Sequence, residues 1–259
     1  MQAVSVHADV IVVRSAFWQT SCTVVHRPHP EASEESASEC FVIDSPVLQD
    51  ELDTLPALLA QAGWSLSGLL CTHGDWDHVL ARFAFPDAAL GCAETTAARL
   101  RAHPGEAQRE LREFDDEHYV ERPRPLSLPG AQRLPVPGKV EVGDRELELQ
   151  PTDGHTEDGM AIWIPWAGVL VCGDYLSPVE IPMVRDVPAY LATLNRLEPL
   201  VEQAEHVVPG HGAPIDGARA AAILREDRAY LEGLQRGDVE LPLARRTGAQ
   251  RRIHESNVR

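Results

Sequence analysis

Two imidazoles and two carboxylates crowd into one short block, Cys71-Thr72-His73-Gly74-Asp75-Trp76-Asp77-His78. Free in solvent the two aspartates would repel each other, whereas around a divalent cation the same crowding becomes attractive. A helix N-cap ahead of Val79-Leu80-Ala81 accounts for one aspartate and for neither histidine. Three later segments have the same character. His155 follows a strand-like run in Gln150-Pro151-Thr152-Asp153-Gly154-His155-Thr156, Asp174 follows Gly173 after the apolar run Gly168 to Cys172, and His211 lies in Pro209-Gly210-His211-Gly212. Each alone reads as a turn or cap residue. Together they set metal-binding side chains at the ends of buried strands, where loops rest on a rigid scaffold and still reach a cleft.

The hydrophobic pattern predicts the elements that must hold these loops. Extended runs fall at 4–13, 21–26 and 40–44, and the acidic stretch Glu31 to Glu39 reads as a hairpin tip. A helix is expected from Leu48 through Ala62, with Leu48, Leu52, Leu55, Leu58 and Leu59 sharing a face and Gly63 ending it. A strand at 68–71, an extended piece at 90–93 and a helix at 97–102 follow, and the charged region 106–124 has no clear periodicity. The proline-rich stretch 122–137 reads as a surface excursion rather than a linker, because the motifs fall on both sides of it. Strands return at 139–142, 146–150, 161–165 and 168–172, then a helix at 188–197, a strand at 206–208 and an amphipathic helix at 218–234. The order β-rich, α, β, α thus occurs twice, which predicts two similar halves, each a mixed sheet with helices outside, the sheets packed face to face. Residues 1–240 are expected to form a single domain. Arg245, Arg246, Arg251, Arg252 and Arg259 mark 241–259 as a basic, flexible tail, with a nucleic-acid or partner contact as the alternative.

Of 259 residues, 44% are hydrophobic and 24% charged, with a net charge of −17, which suits a packed core and excludes disordered, fibrous and coiled-coil classes. A field this negative repels phosphate backbones and argues against bulk nucleic acid or anionic membrane as partner. No apolar run approaches the ~18 residues of a bilayer-spanning helix, and residues 1–14 lack the layout of a secretory signal. Cys22, Cys40, Cys71, Cys92 and Cys172 show no paired spacing, which fits reduced thiols in the cytoplasm and offers no thiolate metal site.

In this order, Asp44 after an early strand, the Thr72–His78 block, Gly154-His155-Thr156, Gly173-Asp174 and Pro209-Gly210-His211-Gly212 resemble the metallo-β-lactamase superfamily of hydrolases. The resemblance implies an α/β fold, a four-layer αββα sandwich with a dinuclear metal site at the sheet edges. It implies that His73 and His155 bind one ion, that Asp77, His78 and His211 bind a second, and that Asp174 bridges both. Asp44 would orient a ligand by hydrogen bonding without touching metal. The departure is Asp75, where most members have histidine; a similar aspartate occurs in DNA-uptake nuclease domains of the superfamily. Asp75 stands as the seventh candidate ligand. Three carboxylates then balance two divalent ions and one hydroxide, which favours harder ions more than a histidine site would. Zinc is expected from family precedent, with manganese or iron as the alternative.

The implied chemistry is attack by a metal-bound hydroxide, since a bound ion lowers the pKa of water from roughly 15.7 to about 7, with Asp77 holding the hydroxide in line. The expected substrate is a small ester, thioester or lactone, similar to those of the glyoxalase II-like branch. A phosphodiesterase or nuclease is the alternative, favoured by Asp75 and opposed by the net charge, and a non-catalytic metal-binding module is the third. Tyr175 is a core tyrosine or an oxyanion donor, and Trp76 a cleft wall or packing under its loop. Asp153 and Asp158, which flank His155, are expected to cap turns, with a supporting role behind a metal ligand as the alternative. His7, His26, His29, His103, His118, His206 and His254 have no matching neighbours and are read as structural or exposed.

Overall fold

Five successive residues of the run Ser21–Arg27 are buried, which a strand achieves only when both of its faces are covered. In a computed structural model of the chain, describing residues 1–28, 38–128, 130–242 and 245–258, this run is the third strand of a seven-stranded sheet. Its members are β1 (Gln2–His7), β2 (Val10–Arg14), β3 (Ser21–Arg27), β4 (Ser38–Asp44), β5 (Trp64–Leu70), β6 (Leu90–Ala93) and β7 (Gln132–Leu134), side by side in chain order. The pairings are antiparallel as far as β4 and parallel from β4 to β7.

The second sheet runs β8 (Gly138–Val142), β9 (Arg145–Pro151), β10 (Met160–Ile164), β11 (Val169–Val171), β12 (His206–Val208) and β13 (Ile215–Asp216). Only β11 and β12 pair in parallel. Helices α1 (Gln49–Ala62), α2 (Ala81–Ala84), α3 (Glu94–Ala102) and α4 (Glu106–His118) belong to the first half, and α5 (Val187–Gln203), α6 (Gly217–Arg236) and α7 (Gly248–Asn257) to the second.

Alternating side chains divide the apolar residues among three cores, as a period of two requires. Val24, Val42 and Leu69 face α1 and α4, while their neighbours Val25, Ile43 and Leu70 meet Leu149, Ile162 and Val171 between the sheets. Leu170 and Val207 pack outward on Leu194 and Leu197 of α5 and Ile223 of α6. The chain is therefore the expected αββα sandwich. In each half an antiparallel run ends in a helical crossover to a parallel strand, β4–α1–β5 and β11–α5–β12, which matches the doubled element order.

The region 106–124 contains α4, whose only buried residues are Ala107, Leu111 and Phe114 among charged neighbours. The proline-rich stretch is largely exposed, as a surface excursion requires, with Leu126 tucked into the core and Gln132–Leu134 forming the exposed edge strand β7 beside β6. Of the expected hairpin tip Glu31 to Glu39, positions 31–37 lie outside the described residues, as do His29 and Arg259, while Ser38 and Glu39 lie in β4. At the C-terminus Arg251 and Arg252 are exposed, as a solvated basic segment requires. Arg245, by contrast, is buried against Asp227 at 2.7 Å and Glu226 at 3.0 Å, and α7 follows it behind a Thr247–Gln250 capping box. The all-surface reading of this tail overlooked buried carboxylates on α6 able to draw one arginine inward.

Candidate metal centre

Strands β4 and β5 are parallel, and so are β9, β11 and β12, so the loops after them leave each sheet at one edge. Every singled-out histidine and aspartate lies on one of these loops or just before it. The loops are cross-tied by backbone: Met160 N donates to Thr72 O at 2.7 Å, Gly210 N to Gly173 O at 2.6 Å and Ser21 N to Gly210 O at 2.7 Å. After β5 the chain turns through a short 3-10 helix, Trp76–His78, which brings Asp77 and His78 to the same side.

All seven candidate ligands converge. Asp174 Oδ2 lies 3.2 Å from His155 Nε2, 3.4 Å from His211 Nε2 and 3.8 Å from His73 Nε2, while its Oδ1 lies 3.2 Å from His78 Nε2. Asp75 Oδ2 is 3.6 Å from both His73 Nε2 and His155 Nε2. Asp77 Oδ2 is 3.4 Å from His211 Nε2 and 3.7 Å from His78 Nε2. The donor atoms thus form three groups able to hold an ion, His73–Asp75–His155, His73–His78–Asp174 and Asp77–His78–His211.

The opposite nitrogen is hydrogen-bonded in three of the rings: His155 Nδ1 lies 3.0 Å from Met183 O, His211 Nδ1 3.2 Å from Trp18 O and His73 Nδ1 3.1 Å from Thr72 Oγ1. His78 Nδ1 faces Asp44 Oδ2 at 3.1 Å as an ion pair without hydrogen-bond geometry. Anchoring Nδ1–H on oxygen leaves a lone pair on Nε2, the arrangement typical of metal-ligating imidazoles. Buried Nε2 atoms of His73, His78 and His155 and Oδ1 of Asp174 have no hydrogen-bond partner, which is costly unless another group binds them. Asp44 accepts from Thr72 N at 2.7 Å and Thr72 Oγ1 at 2.9 Å. It holds these bonds in the left-handed backbone region, φ 58°, which aspartate tolerates better than most residues.

At Asp75, His78, His155, Asp174 and His211 burial opposes charge, yet the opposite charges outweigh it. Asp174 is held well below the usual carboxylate range by His211, His78 and His73, and Asp75 by His73 and His155. His78 is raised well above its ordinary value by Asp174, Asp77 and Asp44; His211 is raised to about 10 by Asp174, Glu180 and Asp77. A metal-free centre of this kind holds protons where an ion would sit.

Trp76 both packs on Phe114, with ring centroids 4.7 Å apart, and lines a cleft of about 590 Å³ beside the cluster. Trp18, Ile181, Met183, Glu180 and Glu110 share that lining. Tyr175 is a core tyrosine: its hydroxyl accepts from His155 N at 3.2 Å and packs on Tyr190. Asp153 ties its turn to Thr193 and Arg196. Asp158 does more than cap a turn, since it accepts from Gly74 N at 3.0 Å and from Arg99 Nη1 at 2.9 Å. Arg99 also reaches Asp75 Oδ1 at 2.7 Å. Sequence reasoning missed Arg99 altogether; the extra carboxylate at 75 was the one signal that a cation was needed nearby. Among the other described histidines, His26 stacks on Trp64, His254 meets the Tyr230 ring edge-on, and His118 packs against Phe17 and Phe114.

Residues 19–230 match the family description "Metallo-beta-lactamase superfamily". The chain is 23% identical over 171 residues to a beta-lactamase-like protein 2 homolog of Caenorhabditis elegans, covering 66% of this chain and 50% of that protein. It is 29% identical over 138 residues to a hydroxyacylglutathione hydrolase of Rhodospirillum rubrum, covering 53% of this chain and 43% of that protein. It thus spans about half the length of these curated relatives. A beta-lactamase domain protein from Burkholderia ambifaria has the same fold, with a TM-score of 0.65 at 19% identity over 91% of this chain and 78% of that one.

Proposed function

This chain belongs to the metallo-beta-lactamase superfamily, and from that premise we propose that it is a metal-dependent hydrolase of small, uncharged esters, thioesters or lactones. The observation that carries the reading is the set of buried, unpartnered Nε2 atoms aimed at shared carboxylates. His73, Asp75 and His155 would hold one divalent ion, Asp77, His78 and His211 a second, with Asp174 between them. Imidazole and carboxylate donors without thiolate suit zinc, and also manganese or iron. Ions held there would supply Lewis acidity, acidifying a water and polarising the carbonyl under attack.

The chain's own contributions follow from position. Asp77, beside His78 and His211, would hold the attacking water in line. Asp44, Trp18 O and Met183 O fix the imidazoles so that little reorganisation accompanies reaction. Trp18, Trp76, Ile181 and Met183 give the cleft an apolar wall for the acyl or alkyl part of the substrate.

Charge favours an uncharged substrate. Both arginines lining the cleft are engaged, Arg99 with Asp75 and Asp158 and Arg185 with Glu157 at 2.6 Å, while Glu110 and Glu180 add carboxyl groups. A phosphodiester would meet these groups with no uncommitted arginine to offset them. The five cysteines, free and buried, suit a reducing compartment, and we place the protein in the cytoplasm.

A panel of p-nitrophenyl esters, thioesters, lactones and bis(p-nitrophenyl) phosphate tests the reading on metal-loaded protein. Metal-dependent turnover of an ester, thioester or lactone is expected, with the phosphodiester slower by about 100-fold or more. Preference for the phosphodiester, or activity surviving joint substitution of His155 and His211, overturns it.

A further inference from the structure

Asp75 points its two oxygens at different partners. Oδ1 meets Arg99 Nη1 at 2.7 Å, and Oδ2 lies 3.6 Å from Nε2 of His73 and of His155. Arg99 stands on α3, directly after β6, and its side chain is largely buried. The same Nη1 reaches Asp158 Oδ1 at 2.9 Å, and Asp158 Oδ2 accepts from Gly74 N at 3.0 Å. Gly74 immediately precedes Asp75. The guanidinium is thus tied to the loop at two points, once through the Asp75 carboxylate and once through the Asp158 carboxylate that holds the Gly74 peptide.

An unrestrained carboxylate can bind an ion through one oxygen or chelate it through both, and it brings a full negative charge. An imidazole offers a single nitrogen and no charge. A charge-assisted hydrogen bond to one carboxylate oxygen removes that oxygen from competition and draws electron density away from the other. We propose that Arg99 is a positioning residue which, by holding Oδ1, makes Asp75 a one-oxygen, charge-compensated donor at a place where an imidazole would present one nitrogen. The inference rests on the reading of the cluster as a metal centre. It also weakens the electrostatic case for hard ions, because part of the Asp75 charge is already committed to Arg99.

A double-mutant cycle over positions 75 and 99 tests this, read out as metal affinity by chelator competition and as the visible spectrum of cobalt-substituted protein. With Asp75 present, R99Q is expected to weaken the tighter-bound ion by about 10- to 100-fold, the usual effect of removing a partner of a ligand, and to change the cobalt band shape as the carboxylate alters its binding mode. In the D75H background the same R99Q substitution is expected to change affinity by less than about 3-fold. Arg99 also holds Asp158, so a merely structural role would give equal losses in both backgrounds and an unchanged cobalt spectrum; that result overturns the proposal. If R99Q does not fold, R99K keeps the charge, cannot bridge both carboxylates in the same way, and carries the same comparison. Failure of the parent protein to bind any ion would instead remove the metal-centre reading itself, before the cycle begins.

Discussion

Asn257, in the last turn of α7, supports His155 through a single peptide segment. Its side chain donates to Pro182 O at 2.6 Å and accepts from Val184 N at 3.1 Å, and Met183 O between them lies 3.0 Å from His155 Nδ1. Gln250 of the same helix bonds Val179 O, so α7 grips the cleft-wall segment at both ends. The C-terminal helix is therefore coupled to the orientation of a candidate ligand. Removing the Asn257 amide frees the Met183 carbonyl to rotate. N257A is expected to weaken metal affinity about 10-fold, at the low end for partners of a ligand because it acts one step further away, with little change in thermal stability. Equal metal affinity in N257A and parent, measured by chelator competition, would break this coupling.

Arg245 anchors the segment that leads into α7. It pairs with Asp227 at 2.7 Å and Glu226 at 3.0 Å and donates to the carbonyl of Glu180 at 2.8 Å, all with its own side chain buried. Burial is the main influence on the Asp227 carboxyl and pushes it up to about 7, and removing the arginine takes away the charge that opposes this. R245A should cost about 3–5 kcal/mol in urea unfolding, because it strands a buried acid. The double variant D227N/R245M removes both charges and should recover much of that loss. If R245A and the double variant prove equally unstable, the loss comes from packing and not from the stranded carboxyl.

The sandwich was legible because strands covered on both faces, such as β10 and β11, read as unbroken apolar runs, and the candidate ligand loops were legible because several strand-end histidines and aspartates occur together, although each alone reads as a turn or cap residue. The supporting structure was not legible, for three separate physical reasons. Arg99 and Asp158 are 59 residues apart and carry no local pattern. Met183 acts through a backbone carbonyl, which any residue possesses. Arg245 looked like part of a solvated charge run, since its partners lie on α6 and in the cleft wall, beyond the reach of neighbouring sequence. Helix α4 was obscured for a related reason, with only three buried residues to mark its apolar stripe.

Gly210 sits where the β12 loop passes under Asp174. A Cβ built there would lie 2.0 Å from Asp174 Oδ1 and 2.9 Å from His78 Cε1. Either the Asp174 carboxylate or the Gly210 peptide must move by an ångström or so to admit it. Because Asp174 faces four imidazoles, one displacement should disturb both halves of the centre. G210A is expected to lower metal stoichiometry and to cut activity by about 100-fold or more, the scale of effect for an ångström of misplacement. Normal metal content by elemental analysis in a folded G210A protein would show that the carboxylate yields without consequence.

Proton competition should be visible in the pH dependence of metal-free protein. His211 is raised from 6.5 to about 10: burial works against the imidazolium, and Asp174, Glu180 and Asp77 outweigh it. Below pH 6.5 the unfolded and folded forms are both protonated at this site, and its stabilising contribution is complete. Between 6.5 and 10 the folded protein holds a proton that the unfolded chain has lost, so the contribution falls as pH rises and is gone above 10. Chelator-treated parent protein should therefore lose stability relative to chelator-treated H211Q across that window. Metal-loaded protein should show the opposite slope near pH 6.5, because a ligating imidazole is deprotonated in the folded state and the unfolded chain binds the proton. Calorimetric titration of metal into parent protein at pH 7, in buffers of differing ionisation enthalpy, should report net proton release. Metal uptake without proton release, together with a flat difference between parent and H211Q, would mean that the centre is held neutral before any ion arrives.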